Sequence, residues 1–332
     1  MFKVCLIGCG EIAKNFHGPA IQKYFGEHSN EINLLACCDT DIQKAKAFAE
    51  KFGFKSHYDD YRKMLNAERP DAVCLTASYV VIHSIAVDVM GMGIPIIMEK
   101  PPGTTGAEVS TIIEAADKSK IHNQVAFNRR YTPIVNELKS ILSSSGPADD
   151  IYNIRCVFQR VGRRDDDFYT TAIHGIDTVK YIAGSDYKQV RFRYQELPEV
   201  NKGAANIYLD CEMQSGATAQ LAFCPFGGKV IEDYFVTCSN HDFTLKMPVW
   251  GSPEYPGGLW HFSGNECVNH VKGDDTRFGI EMFERFGFYS ENADFFNNVR
   301  AKVQSPNDIN SALQSVEIAY CIHQRLEEYN SI

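Results

Sequence analysis

The stretch "FKVCLIGCGEIA", Phe2 to Ala13, runs from an apolar segment into a glycine pair and then into residues that favour a helix. Phe2 to Ile7 shows little polar alternation, which predicts a strand covered on both faces. The turn after it has the spacing G-x-G-x-x-A. Gly8 permits a sharp turn, Gly10 removes the side chain where a ligand would approach the backbone, and Ala13 is small enough for the following helix to pack closely on the sheet. Such spacing also occurs by chance, so the neighbouring segments decide its meaning.

Those neighbours repeat the alternation. "INLLACCD", "DAVCLTA", "IPIIME" and "NQVAF" read as four further strands, closing near Phe127. Between them lie helical patterns. "DIQKAKAFAEKFG" places Ala45, Phe48, Ala49 and Phe52 on one face with Gly53 as a stop, and "TTGAEVSTIIEAADKSK" offers Thr105 and Glu108 as a capping box. Strand and helix in steady order predict a doubly wound parallel sheet. Asp39 ends the second of these strands, where an acid hydrogen-bonds the two ribose hydroxyls of an adenosine; a helix N-cap is the structural alternative for it. Together with the glycine turn it predicts a dinucleotide site. Thr40 and Asp41 follow, with no Arg or Lys to meet a 2′-phosphate, so NAD is expected in preference to NADP.

"IPIIMEKPPG" then sets Glu99 and Lys100 at the carboxyl end of a strand, the sheet edge where doubly wound folds bind ligands, and Pro101 and Pro102 are expected to hold the chain extended so that the lysine projects. A solvated pair closing a strand is the plainer reading of two such charges. His83, on a mostly apolar helix, reads from its own segment as a core histidine.

Composition narrows the function classes. The 332 residues, 44% apolar and 23% charged, are those of an ordinary globular protein long enough for two domains. A net charge of −9 opposes nucleic acid as a partner, and Arg129 with Arg130 and Arg163 with Arg164 are too short to track a phosphate backbone. No run of about 18 apolar residues appears and the first residues lack a cleavable signal pattern, so a cytoplasmic, unanchored protein is expected. The eleven cysteines form no C-x-x-C pair and lie mostly in apolar runs. They read as reduced core thiols, without a disulfide framework or structural metal.

From Ile151 the pattern changes to strict alternation, with Tyr152, Ile154, Cys156 and Phe158 on one side, and later Val190, Phe192 and Tyr194. "NIYLDCEMQSGATAQLAF" is a hairpin about Ser215 and Gly216. An antiparallel sheet with one face on helices follows. "YTTAIHGIDTVKYIAG" is a helix with His174 and Asp177 three apart on one face; from this segment alone a surface or capped histidine is a better reading of His174 than catalysis. "GRRDDD" before it reads as a loop at a site mouth, with Arg163 and Arg164 facing an anionic group or simply solvated. A last helix carries Leu313, Val316 and Tyr320 on one stripe, with packing back on the first domain expected. Trp250 to Gly287 reads as loop-rich.

"GCGEIA", "TASYVVIHSIAVDVMGMGIPIIMEKP", "VAFNRRYTP" and "AIHGIDTVKYIAG" together resemble the successive signatures of the glucose-fructose oxidoreductase, inositol dehydrogenase and rhizopine-catabolism oxidoreductase family, most strongly over the first 185 or so residues. The resemblance implies an N-terminal doubly wound Rossmann domain over residues 1–122. It also implies an α/β domain with a large, mainly antiparallel sheet over 123–332 for substrate binding and oligomerisation. It implies oxidation or reduction of sugars, cyclitols and related polyols with NAD(P). Lys100, His174 and Asp177 become the catalytic candidates. Gly8, Gly10, Glu11, Ile12, Asp39, Thr76, His83, Glu99, Lys100 and Asn128 become candidate cofactor contacts, and Lys100, Arg163, Tyr169, Thr170 and His174 substrate contacts.

One departure stands out. Many of the family's polyol dehydrogenases carry an aspartate one helical turn before the histidine, and here Thr170 occupies that place, leaving Asp167, Asp177 or Tyr169 to share the proton chemistry. Relatives that cleave glycosides by transient oxidation, and a non-catalytic dinucleotide-binding sensor, are the alternatives. A homodimer or homotetramer is expected, the sheet face with Tyr208, Thr218 and Ala222 being the one that packs on a neighbouring subunit in the resembled family.

Overall fold

Six short, apolar strands need cover on both faces, and the first unit supplies it with helices. In the computed structural model, which describes residues 1–144, 151–163 and 167–331, they are β1 (Phe2–Ile7), β2 (Ile32–Cys38), β3 (Ser56–Tyr58), β4 (Ala72–Leu75), β5 (Ile96–Glu99) and β6 (Asn123–Ala126). All pairs are parallel, in the order β3-β2-β1-β4-β5-β6. The strand order reverses between β1 and β4, which fixes the ligand crevice at their carboxyl ends. β3 is an addition to the strands expected: "SHY" is three residues long and only partly buried, too little for an apolar run to reveal.

The crossover helices are α1 (Gly18–Glu27), α2 (Ile42–Phe52), α3 (Tyr61–Glu68), α4 (Ile82–Gly91) and α5 (Gly106–Ser119). Asp41, not Asp39, caps α2 by accepting from the Gln43 and Lys44 amides, and Gly53 ends it at φ 82°. Thr105 caps α5 through the Glu108 amide, but the Glu108 carboxylate returns to the Thr104 amide, 2.6 Å, so the capping box is shifted by one residue on its return arm.

The chain divides into two compact units, Met1–Asn128 with Met282–Val316, and Arg129–Glu281 with Glu317–Ile332. β6 stays with the first because it pairs with β5. The returning segment holds α8 (Met282–Arg285), α9 (Phe288–Ala301) and the start of α10 (Ile309–His323). Phe295 and Phe296 of α9 join the core built on Val4, Leu6, Ile21 and Phe48. On α10 the buried stripe is Ala312, Val316, Ala319 and Ile322; Leu313 and Tyr320, expected on it, are half-buried.

The second unit is a nine-stranded sheet, β14-β13-β12-β11-β7-β10-β9-β8-β15. Its strands are β7 (Ile151–Gln159), β8 (Tyr187–Glu196), β9 (Ala205–Met213), β10 (Thr218–Cys224), β11 (Ile231–Cys238), β12 (His241–Lys246), β13 (Gly258–Ser263), β14 (Glu266–Lys272) and β15 (Glu328–Asn330). Only the β7–β10 pair is parallel. Ile154, Cys156 and Phe158 are buried as the alternation requires, while Tyr152, at the strand's open end, is exposed. β13 and β14 fall in the stretch read as loop; their hairpin turns on Gly264 and Asn265, both at positive φ, a two-residue turn signal hidden among glycines and prolines. Among the described residues this unit also holds α6 (Pro133–Ser144), α7 (Tyr169–Ala183) and the end of α10. A Cβ on Gly175 would lie 2.7 Å from the Phe223 ring, so the glycine lets α7 settle onto β10 and seats its neighbour His174 against the sheet. Among the described residues no helix is long and apolar enough to cross a membrane.

Candidate functional site

In the first unit the switch point opens a groove of about 510 Å³, lined by Gly8 and Gly10 after β1, Asp39 and Thr40 after β2, Asp59 and Arg62 near β3, and Thr76 to Ser78 after β4. Gly8 is fixed at φ 96°, and a Cβ there would strike the Thr76 backbone at 2.7 Å. Thr76 donates its hydroxyl to the Gly8 carbonyl, 2.6 Å, closing the turn. A Cβ on Gly10 would meet nothing within 4 Å, so the turn presents bare backbone to open space, the arrangement a pyrophosphate needs. The Asp39 carboxylate is oriented by the Cys9 amide, 2.9 Å, and the Asp41 amide, 3.0 Å. With α2 capped by Asp41, Asp39 keeps further lone pairs for a ribose. These residues fit a dinucleotide. Glu11 and Ile12 are exposed at the helix start, Glu11 accepting from Asn15 at 3.1 Å.

Beyond the groove lining, Glu99 is neither solvated nor idle. His17, wholly buried, reaches the Glu99 carboxylate through Nε2 at 2.8 Å, and Asn292 of α9 donates to His17 Nδ1 at 3.0 Å. The other Glu99 oxygen accepts the Lys100 amide, 3.1 Å. Burial alone would raise the Glu99 carboxyl; His17 and Lys100 more than reverse this and hold it below the usual carboxylate range. Glu99 thus fixes the backbone that carries Lys100. The Lys100–Pro101 peptide is cis, where an extended chain was expected. His17 reaches inward from a π-helical turn, Ala13–His17, that precedes α1. His83 bonds the Thr111 hydroxyl of α5, 2.6 Å. Asn128 is buried and donates to the Phe286 carbonyl, 2.8 Å.

In the second unit the charged side chains sort into two groups. Arg129 meets both oxygens of Glu232, at 3.2 and 2.8 Å, and Arg160 joins the same carboxylate. Burial would raise the Glu232 carboxyl, but the two guanidiniums hold it below the usual range. Nη1 of Arg129 lies 3.4 Å from Nε2 of His174. A guanidinium only donates, so His174 meets it as an acceptor, with the imidazole proton on Nδ1. Asp177, one turn along α7, has a different partner: Arg130 grips both its oxygens, Nε at 2.8 and Nη2 at 2.5 Å, and the pair is buried. Asp177, a catalytic candidate from the sequence, is thus held by Arg130. Thr170 donates to the Asp167 carbonyl, 2.8 Å. Tyr169 packs against His323, ring centroids 4.5 Å apart, and with Arg163 lines a small cavity near Pro225. Arg164 lies outside the described residues.

Of the candidates named from the sequence, Gly8, Gly10, Asp39 and Thr76 line the groove, Glu99 accepts the Lys100 amide, and His174 stands beside Arg129. His17, Arg62, Arg129, Arg160 and Glu232, which the structure places beside those candidates, were not among them. Two charged residues in a strand end, "IED", and a lone arginine at a helix start carry no spacing signal. The "FNRRY" pair was a visible cue, and only the fold separates the duties of its two arginines.

A glycine turn at the switch point, with bare backbone at Gly10 and an oriented acid after β2, defines a dinucleotide-binding protein of the doubly wound class. Residues 2–127 match the family described as "Oxidoreductase family, NAD-binding Rossmann fold". It is similar to inositol 2-dehydrogenase of Salmonella paratyphi B, 29% identical over 168 residues, 48% of this chain and 49% of the relative. It is also similar to D-glucoside 3-dehydrogenase of Escherichia coli, 27% identical over 150 residues, 45% and 41%. The matched stretch spans about half the length of these curated relatives. A levoglucosan dehydrogenase solved with NADH shares the fold at TM-score 0.82 and 17% identity, over 99% of this chain and 98% of that one.

Proposed function

We propose that the chain is an NAD-dependent oxidoreductase that passes a hydride between nicotinamide and a carbinol or keto carbon of a sugar, cyclitol or related polyol. The observation that carries the reading is the Gly8–Gly10–Asp39 groove at the switch point, open at Gly10 and acidic at its ribose end. The named activities of the relatives, on inositol and on a glucoside, supply the substrate class. When bound, NAD supplies the hydride acceptor.

In this reading Gly8, Gly10 and Asp39 hold the dinucleotide, with Glu11, Ile12, Thr76, His83 and Asn128 as lesser candidates. Lys100, its backbone set by Glu99 and His17, takes part in moving the hydroxyl proton and steadies the developing alkoxide. His174, whose Nε2 faces the Arg129 guanidinium at 3.4 Å, is a second candidate for the proton chemistry, since a carbinol releases hydride more readily as its oxygen loses its proton. Where many relatives carry an aspartate this chain has Thr170, and a guanidinium anchored on Glu232 meets the imidazole. Asp177 acts by holding Arg130. Tyr169, Thr170 and Arg163 remain candidate substrate contacts. A reducing, cytoplasmic setting fits the eleven free cysteines, and a homodimer or homotetramer completes the reading.

The test is absorbance of reduced nicotinamide when the protein meets NAD and a panel of sugars, cyclitols and their acids. One substrate class should yield NADH. A Lys100→Met variant should lose turnover by about 100-fold or more while still binding NADH. Unchanged turnover in that variant would remove Lys100 from the chemistry; turnover of a glycoside without added NAD would favour transient oxidation, and bound NAD with no turnover on any substrate a sensor.

A further inference from the structure

We infer that Arg62 sets which dinucleotide the groove accepts, and that its tether to Asp88 holds the groove to NAD. The inference rests on the dinucleotide reading above and adds a residue to it. Arg62 is the one cation among the described residues lining the groove, where it shares the adenosine end with Asp39, Thr40 and Asp59. An unrestrained arginine there would be the natural partner of a 2′-phosphate. This one is restrained. Its guanidinium donates to Asp88, which does not line the groove, and lies over the Tyr61 ring, 4.8 Å from the centroid. Tyr61 donates its hydroxyl to the same Asp88 oxygen, 2.6 Å, so one carboxylate anchors both the ring and the cation stacked on it.

The consequences are two. The charge of Arg62 is answered by Asp88, so a 2′-phosphate arriving between Asp39 and Asp59 meets two carboxylates and no uncommitted cation. The planar guanidinium, with 59% of the side chain exposed, is still free to offer a flat face to adenine. Arg62 then contributes affinity to NAD by stacking, while its pairing with Asp88 withholds the contact that NADP requires.

Titration of NADH and NADPH into the purified protein, followed by nucleotide fluorescence without substrate, separates these contributions. Wild type should bind NADH more tightly than NADPH. Arg62→Ala and Arg62→Lys should each weaken NADH about fivefold, the lysine having charge but no flat face. Asp88→Asn, which keeps an acceptor for Tyr61, should strengthen NADPH about tenfold and leave NADH within about twofold. NADH binding unchanged in Arg62→Ala, or NADPH binding unmoved in Asp88→Asn, overturns the inference while the dinucleotide reading stands. Wild type binding neither nucleotide brings down both.

Discussion

Arg129 and Arg130 are adjacent in the chain and have been given opposite duties. Arg130 is 5% exposed and closed on Asp177, which is itself wholly buried, so two charges cancel in one bidentate contact. Arg129 is 16% exposed, shares Glu232 with Arg160, and turns its remaining edge to His174. Geometry separates them: a 3₁₀ turn at Asn128–Tyr131 sends successive side chains in different directions, one towards α7 at Asp177 and one towards β11. A buried bidentate pair supports the fold, whereas a shared carboxylate leaves an arginine able to orient a neighbour.

The largest test of that contrast is Arg130→Ala. It leaves Asp177 charged and buried, and about 3–5 kcal/mol of stability should be lost in urea denaturation; a loss under about 1 kcal/mol would erase the distinction. Arg129→Ala should cost less stability, because Arg160 still answers Glu232, yet lower turnover at least about tenfold with NADH affinity unchanged. A fall in NADH affinity equal to the fall in turnover would place Arg129 with the cofactor instead. The mildest test is acid. The Glu232 carboxyl is held below its unfolded value, so its pairing stabilises the fold above the ordinary glutamate range and is lost as pH falls through the lowered folded value. Wild-type stability should decline on acidification below about pH 4.3, and Glu232→Gln, already weaker at pH 7, should decline less steeply over that window.

Reading the sequence reached as far as local patterns reach. Gly8, Gly10 and Asp39 announced themselves because strand, turn and acid follow at short, physically constrained spacing, and β1, β2, β4, β5 and β6 because strands covered on both faces are apolar throughout. β3 and the β13–β14 hairpin stayed hidden for the opposite reason: β3 is too short, and β14 is exposed along nearly its whole length, with no apolar face to see. The partners of the candidate site were the hardest. His17 and Glu99 are 82 residues apart, Arg129 and Glu232 are 103, and a buried charge pair depends on a meeting that only folding brings about. Glu232 looked like one more strand-end charge.

The division of the chain carries a last consequence. Its path passes from one unit to the other after Asn128, returns at Met282 and leaves again after Val316. A cut at Asn128 would therefore deliver a dinucleotide half without Phe295 and Phe296 in its core and without Asn292 beside His17. Neither half is a contiguous cassette. End-to-end fusion at Asn128 has no seam to use here, and a gene fragment that looks complete by its motifs encodes an incomplete core.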